Sequence, residues 1–171
     1  MAVSIDLSGK SAIVFGVANH RSIAWAIAEQ LHAAGAHLTV TYQNERLGKN
    51  VLDLVKDMDA AQAVECDVMN ESSVVAAVDA AASNGPLAAA VHAVAFANKD
   101  DLSGDFSATG VEGFRTAMDV SAYSLLPVAR AAAAKMTDGG SILTLTFHAA
   151  EKVYPGYNVM GVAKAALENE V

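Results

Sequence analysis

The chain has 171 residues, 53% of them hydrophobic, and a formal net charge of −8; this suits one domain with a sizeable buried core and is too short for two full domains. The acidic balance disfavours attraction to phosphate backbones or anionic lipid, so we expect neither a nucleic acid nor a membrane as a partner. The single cysteine, Cys66, can form no internal disulfide, and no run reaches the roughly 20 apolar residues that span a bilayer, so we expect a cytoplasmic protein.

The first 42 residues have the pattern of a strand, a helix and a second strand. Residues 11–15 are an apolar run with the length of a strand that is buried on both faces. After a loop, residues 23–34 are good helix formers that Gly35 ends, and the β-branched run 36–42 follows. The three elements predict a βαβ unit with a right-handed crossover, the unit from which parallel sheets are built.

The alternation of helices and strands continues along the rest of the chain. The pattern predicts helices at 46–58 and 71–82, strands at 61–65, 88–95 and 141–147, and a loop at 98–110. A long helix over 111–136 is expected to be kinked or locally broken at Pro127. We therefore predict that residues 1–171 form one doubly wound α/β domain, with a parallel sheet in the strand order 3-2-1-4-5.

The loop after the first strand is a candidate cofactor site, because doubly wound sheets bind ligands beyond the carboxyl ends of their strands. It offers a pyrophosphate the backbone of Gly16, the hydroxyl of Ser22 and the helix N-terminus that begins at Ile23. The full G-x-G-x-x-G fingerprint is missing. A turn glycine followed by an N-cap serine explains the same residues.

Residues after the other strands are candidates for the rest of a dinucleotide site. Gln43 stands where an acidic residue usually holds an adenosine ribose. Asp67 would accept a hydrogen bond from an adenine amino group, and Val68 would offer an apolar face. An exposed amide and a helix-capping aspartate are the structural alternatives. The stretch 92–97, which includes Val94 and Ala97, brings small residues to the end of the fourth strand. They would let a flat ring approach the backbone, and close helix–sheet packing explains them equally.

Tyr157 and Lys164 are the main candidates for chemistry. Pro155 and Gly156 precede Tyr157, which places it in the first turn of a predicted helix. Lys164 lies two turns later on the same face, with an axial separation of roughly 10 Å. A positive charge beside a phenol makes the hydroxyl a better proton donor, although Tyr and Lys at this spacing also occur by chance. The histidines and the cysteine lack metal-ligand spacing, so no metal site is expected.

Together these motifs resemble the enoyl-acyl-carrier-protein reductases of the short-chain dehydrogenase/reductase superfamily, which have a Rossmann-like fold. The resemblance runs along essentially the whole chain, through residues 16–18, 22–24, 41–43, 66–68, 91–97, 120–124 and 157–164. Most short-chain reductases place the lysine four residues after the tyrosine. Position 161 is Gly here, and the interval of seven residues is similar to the enoyl-reductase arrangement.

The resemblance implies reduction of the trans-2 double bond of an acyl-carrier-protein thioester with NADH, the last step of each fatty-acid elongation cycle; NADPH stays open as the cofactor. Tyr157 would stabilise the enolate oxygen, and Lys164 would hold the nicotinamide ribose. The resemblance implies cofactor contacts at Gly16, Ser22, Ile23, Gln43, Asp67, Val68, Val94 and Lys164. Ala97 and Phe147 would lie on the substrate side, and the protein would be a homotetramer.

Two features depart from the family pattern. Many relatives carry a tyrosine ten residues before the catalytic one, whereas this chain has Phe147, which cannot donate a proton. The last helical pattern reaches Val171 without a stop signal, and the family normally continues with two strands and a lid, so we expect the sequence to be incomplete at its C-terminus. A short-chain carbonyl reductase and a non-catalytic dinucleotide-binding fragment are the alternative functions.

Overall fold

A five-stranded sheet organises the protein, whose computed structural model describes residues 5–171. The strands are β1 (Ser11–Phe15), β2 (His37–Tyr42), β3 (Ala61–Glu65), β4 (Leu87–His92) and β5 (Ser141–Thr144). Strand β1 pairs in parallel with β2 and with β4, and β2 pairs in parallel with β3. The order β3-β2-β1-β4-β5 confirms the predicted doubly wound topology.

Helices connect consecutive strands, as the alternating sequence pattern predicts. The α-helices of the described chain are α1 (Ile23–Ala33), α2 (Glu45–Val55), α3 (Glu71–Ala82), α4 (Lys99–Leu102), α5 (Val111–Met118), α6 (Leu125–Ala133) and α7 (Asn158–Asn169). Asparagine side chains cap two of them: Asn44 accepts from the N–H of Leu47, and Asn70 accepts from the N–H groups of Ser72 and Ser73. These caps satisfy donors that have no partner inside the helix. Among residues 5–171, no helix combines the length and apolarity needed to cross a bilayer.

The chain divides into two compact units, and the first comprises the residues up to Ala93 together with Val128–Leu143. A buried cluster of mainly aliphatic side chains lies where helices α1 and α2 cover the sheet, and Val14, Leu38 and Val51 belong to it. The aromatic side chains of Phe15 and Trp25 are also buried in this unit. A core of small and branched side chains lets helices pack closely on a parallel sheet.

The second unit comprises Val94–Pro127 and Thr144–Val171. A buried cluster of Ala122, Leu125 and Leu167 joins helix α7 to the start of α6 and the turn just before α6. The side chain of Asn158, at the start of α7, also donates to the carbonyl of Gly104. Helix α7, which carries Tyr157 at its N-terminus and Lys164, is therefore fixed within this unit at both of its ends. The expectation that residues 1–171 form a single domain stays a prediction.

The predicted helix over 111–136 is interrupted in the turn that precedes Pro127. Five residues, Asp119–Tyr123, form a π-helical turn between α5 and α6, and Pro127 lies in the first turn of α6. Pro127 has no N–H to donate to the carbonyl four residues earlier, which is that of Tyr123. The break therefore falls in the turn before the proline, where the missing donor of Pro127 interrupts the hydrogen-bond ladder, and the predicted local break at this proline is confirmed.

Three further boundaries differ from the sequence prediction. Strand β4 ends at His92, and two short helical turns, Lys99–Leu102 and Phe106–Ala108, lie in the region predicted as loop. Strand β5 stops at Thr144 rather than at residue 147. Beyond it, the carbonyl of Leu145 accepts from Lys164, and the hydroxyl of Thr146 donates to Glu168. Polar groups of this segment thus pair with side chains of α7, which ends the strand.

Candidate active site

The loop after β1 has the backbone conformation that its glycine permits. Gly16 has φ 89°, a left-handed conformation that L side chains rarely adopt. The next residue, Val17, is buried, and its N–H donates to the carbonyl of Thr41 at 3.2 Å. The turn is therefore anchored to the end of β2, and its glycine presents no side chain to a ligand.

The N-terminus of α1 is open toward an anion. Ser22 occupies the N-cap position with extended backbone angles, but its side chain makes no capping bond and its hydroxyl donates instead to the carbonyl of Asn19 at 2.6 Å. The first turn of the helix contains no acidic residue. The partial positive charge of the helix terminus is therefore not neutralised by the helix itself. Ile23, the first helical residue, is 69% exposed.

Gln43, Asp67 and Val68 follow directly on the ends of β2 and β3. Because these strands and β1 are parallel, their carboxyl ends share one edge of the sheet with the Gly16 turn. Asp67 is exposed and accepts from the N–H of Met69 at 3.0 Å. The cap of α3 is Asn70, so the alternative that Asp67 caps this helix was wrong. Val68 is buried, whereas the side chain of Gln43 is exposed.

Val94 and Ala97 lie in the second unit, in an extended segment that a buried serine holds. The hydroxyl of Ser121 accepts from the N–H of Phe96 at 2.9 Å and donates to the carbonyl of the same residue at 3.0 Å. Ser121 is fully buried in the π-helical turn. Sequence reasoning assigned no role to this serine; the only signal was its position inside the motif at 120–124.

Tyr157 stands at the N-cap of α7, one residue before the first turn in which it was predicted. Its side chain is 40% exposed, and its ring stacks on that of Phe147 with a centroid distance of 4.7 Å and an interplanar angle of 24°. Offset stacking of this kind stabilises an aromatic pair beyond the area that it buries. The phenol is thus oriented by Phe147, while its face away from that ring stays accessible.

Lys164 is buried, with only 7% of its surface exposed. Its Nζ donates to the carbonyl of Leu145 at 2.8 Å, and desolvation by burial lowers the pKa of its ammonium group from the ordinary value. An ammonium has three N–H donors, so the bond to Leu145 leaves donors for a ligand. A buried cation two turns along the helix from Tyr157 can bind hydroxyl groups and raise the local positive potential.

Gly161 brings α7 against the turn at His148–Ala150. A Cβ atom built on Gly161 would lie 2.9 Å from the carbonyl oxygen of Ala149, closer than real Cβ atoms approach. Any larger side chain would therefore require the backbone to shift. Position 161 is where most short-chain reductases carry their lysine, and in this fold it has no room for one.

An apolar cleft of about 360 Å³ adjoins Tyr157 within the second unit. Its lining combines aromatic and small side chains, including Phe106, Ala149, Tyr154, Tyr157, Gly161 and Val162. A phenolic hydroxyl at the edge of an apolar cleft can bind the oxygen of a substrate whose remainder is hydrocarbon. Across residues 5–171, no group of three or more His, Cys, Asp or Glu side chains is arranged to hold a metal ion.

The structure therefore gathers the predicted residues into two sets. Phe147, Tyr157, Lys164, Val94 and Ala97 belong to the second unit, where Phe147 and Tyr157 are in contact. The residues predicted to bind the nucleotide belong to the first unit, at one edge of its sheet: Gly16, Ser22, Ile23, Gln43, Asp67 and Val68.

Comparison with known proteins adds evidence of a different kind. A family model described as enoyl-(acyl carrier protein) reductase matches residues 16–171. The enoyl-acyl-carrier-protein reductase (NADH) FabI of Nostoc sp. is 47% identical over 171 aligned positions, and the alignment covers 98% of this chain and 66% of that protein. The FabI of Bacillus subtilis is 44% identical over 172 aligned positions, gaps included, and the alignment covers 99% of this chain and 67% of that protein.

Solved structures of enoyl-acyl-carrier-protein reductases also match this chain. The Bacillus cereus enoyl-acyl carrier protein reductase in complex with NADP+ and indole naphthyridinone has a TM-score of 0.91 and 47% identity, covering 97% of this chain and 66% of that one. An Anaplasma phagocytophilum reductase in complex with NAD has a TM-score of 0.90 and 43% identity over 100% of this chain and 66% of that one. The chain thus spans about 66% of the length of the relatives it matches.

Proposed function

Because this chain belongs to the enoyl-acyl-carrier-protein reductase family, we propose that the protein reduces the trans-2 double bond of an acyl thioester carried by acyl-carrier protein, the last step of each round of fatty-acid elongation. The observation that carries the proposal is the buried Lys164 on the helix that Tyr157 begins, seven residues along. The Nostoc sp. and Bacillus subtilis relatives are named as NADH reductases, which supports NADH as the cofactor.

The residues of the first unit suit a dinucleotide. The glycine turn after β1 and the uncapped N-terminus of α1 provide the close backbone approach and the positive helix end that a pyrophosphate needs. Gln43 can donate to a ribose hydroxyl but carries no charge to repel a 2′-phosphate, so this position alone accepts either NADH or NADPH. Asp67 and Val68 suit an adenine ring. In the second unit, we propose Val94 as a cofactor contact.

Tyr157 and Lys164 have different roles in the proposed reaction. NADH, when bound, would supply the hydride that adds to C3 of the substrate, and a proton from water would add at C2 to give the saturated thioester. The Tyr157 hydroxyl donates a hydrogen bond to the thioester oxygen, on which negative charge develops, and such a bond is strongest in the transition state. Lys164 binds the ribose hydroxyls through its ammonium and keeps positive potential near the phenol. Phe147 holds the Tyr157 ring by stacking and cannot itself donate a proton.

The apolar cleft is the proposed place of the acyl chain. Its volume of about 360 Å³ falls within the usual range of small-ligand pockets, and we place Ala97 beside the substrate as well. The substrate's carrier would then remain outside this cleft. We also propose a cytoplasmic homotetramer, which is supported by exposed apolar side chains on α5 such as Val111, 72% exposed, and Phe114.

The direct test follows NADH oxidation with a crotonyl thioester and the natural full-length protein. We expect turnover that Tyr157→Phe lowers strongly, because the variant keeps the stacked ring and loses only the hydroxyl. Tyr123→Phe is the matched control, since it removes a hydroxyl from an exposed tyrosine in the π-helical turn. A full-length protein that binds NADH yet leaves the thioester unchanged would refute the enzymatic proposal.

The same assay separates the alternative functions. A short-chain carbonyl reductase would reduce simple ketones at a rate comparable with the crotonyl thioester, and the absence of space for a lysine at position 161 argues against it. A non-catalytic dinucleotide-binding protein would show NADH binding, measured by quenching or enhancement of cofactor fluorescence, without turnover of either substrate.

A further inference from the structure

A contiguous row of side chains lies behind Tyr157 in the second unit. The ring of Phe147 stacks on that of Tyr157. The ring of Tyr154 also packs against Phe147, with a centroid distance of 5.6 Å and an interplanar angle of 54°. The ring of His148 in turn lies 5.7 Å from that of Tyr154. Phe147 therefore contacts the rings of two tyrosines, Tyr157 and Tyr154.

Tyr154 is fixed by a hydrogen bond and not by packing alone. Its hydroxyl lies 2.9 Å from Nδ1 of His148, and Nε2 of the same imidazole lies 3.8 Å from a carboxylate oxygen of Glu151. A carboxylate on the Nε2 side favours the tautomer that carries its proton there, which leaves Nδ1 as an acceptor. The phenol of Tyr154 then donates to His148, and its ring is held in one orientation.

Anchoring matters here because the rings are not buried. Phe147 is 41% exposed, Tyr157 is 40% exposed and Tyr154 is 36% exposed. Surrounding side chains therefore do not enclose the stack and do not fix its rotamers by close packing. A hydrogen bond at the far end of the row supplies a constraint that packing does not. Tyr154 also lines the apolar cleft beside Tyr157, so its orientation shapes the same cleft.

We propose that Tyr154, anchored by His148, is a positioning residue for Tyr157: it holds the Phe147 ring on which the Tyr157 phenol stacks. The expected effect on kcat rests on the proposed function, whereas the positioning of the Phe147 ring by Tyr154 does not depend on it. Tyr154 acts through Phe147 and contacts neither substrate oxygen nor cofactor in this role. A small displacement of a reacting group lowers the rate of the chemical step far more than it lowers the affinity for the ligand.

The kinetic test compares Tyr154→Phe with wild type in the full-length protein. Tyr154→Phe keeps the ring and removes the bond to His148, so we expect kcat to fall roughly tenfold with the KM for NADH unchanged. His148→Ala should give a similar loss, and the double variant should be no worse than either single one, because both changes break the same bond. Tyr123→Phe should match wild type.

A second readout does not depend on turnover. In protein that carries 4-fluorophenylalanine at position 147 alone, the 19F resonance should shift or broaden in Tyr154→Phe and in His148→Ala but not in Tyr123→Phe. An unchanged Phe147 resonance, or kinetic losses that multiply in the double variant, would overturn the positioning role. If wild type fails to reduce the thioester while the resonance responds as expected, the proposed function is wrong and the positioning of the rings stands.

Discussion

Gly161→Ala should destabilise the protein, although alanine is the better helix former. In an open helix interior the exchange of Gly for Ala is worth roughly 0.8–1 kcal/mol in favour of Ala. Here the new Cβ would lie 2.9 Å from the carbonyl oxygen of Ala149, about 0.5 Å inside ordinary contact. The obstacle is backbone and cannot rotate away. Overpacking of this kind costs about 1–3 kcal/mol.

The two effects have opposite signs, so the sign of the measured change decides between them. Taking the upper part of the overpacking range, because a backbone group must move, we expect a net loss of roughly 1–2 kcal/mol. For a protein of this size or larger such a loss lowers Tm by several degrees, at about 2–4 °C per kcal/mol. The helix must also move away from the turn that precedes it, which displaces Tyr157, so kcat should fall as well.

Urea unfolding followed by far-UV circular dichroism gives the free energy of unfolding, and thermal melts check it. Gly110→Ala is the control, because a Cβ at this N-cap glycine would meet nothing within 4 Å and the cap preference costs less than about 1 kcal/mol. If Gly161→Ala proves more stable than wild type by about 1 kcal/mol, propensity alone explains the result and the close approach of α7 to Ala149 is refuted.

Three further predictions concern buried or capping groups. Burial raises the pKa of the Cys66 thiol to about 11, and Cys66 is 3% exposed; alkylation by iodoacetamide at pH 8 should therefore be slow in the folded protein and fast in urea, and rapid labelling without denaturant would contradict this. Asn70→Ala should cost roughly 1 kcal/mol by removing the α3 cap, whereas Asn70→Asp should retain stability in the same urea titration. The pKa of Lys164 is lowered in the folded state, so at pH values just below 10.5 the unfolded chain holds more protons than the folded protein. The free energy of unfolding of wild type, relative to that of Lys164→Met, should therefore increase as the pH rises toward 10.5. A difference that stays constant between pH 7 and pH 10.5 would contradict the lowered pKa.

Sequence periodicity accounts for most of the fold. The short apolar run 11–15, the glycine that ends α1 and the β-branched run 36–42 are local signals, and each produced the element predicted from it. Strand order also followed, since right-handed crossovers between parallel strands leave few arrangements. The early end of β5 is an error of another kind, because there the carbonyl of Leu145 pairs with Lys164, a residue 19 positions away.

The candidate site shows the same division. Sequence spacing alone placed Tyr157 and Lys164 on one helix and put Gly16, Gln43 and Asp67 after successive strands, because these are consequences of chain order. Only the tertiary structure showed that Lys164 is buried, that Phe147 stacks on Tyr157 and that Ser121 holds the segment around Phe96. Such contacts join residues that are 10 to 25 positions apart, and no local pattern encodes them; they depend on side-chain directions that the packed elements fix together.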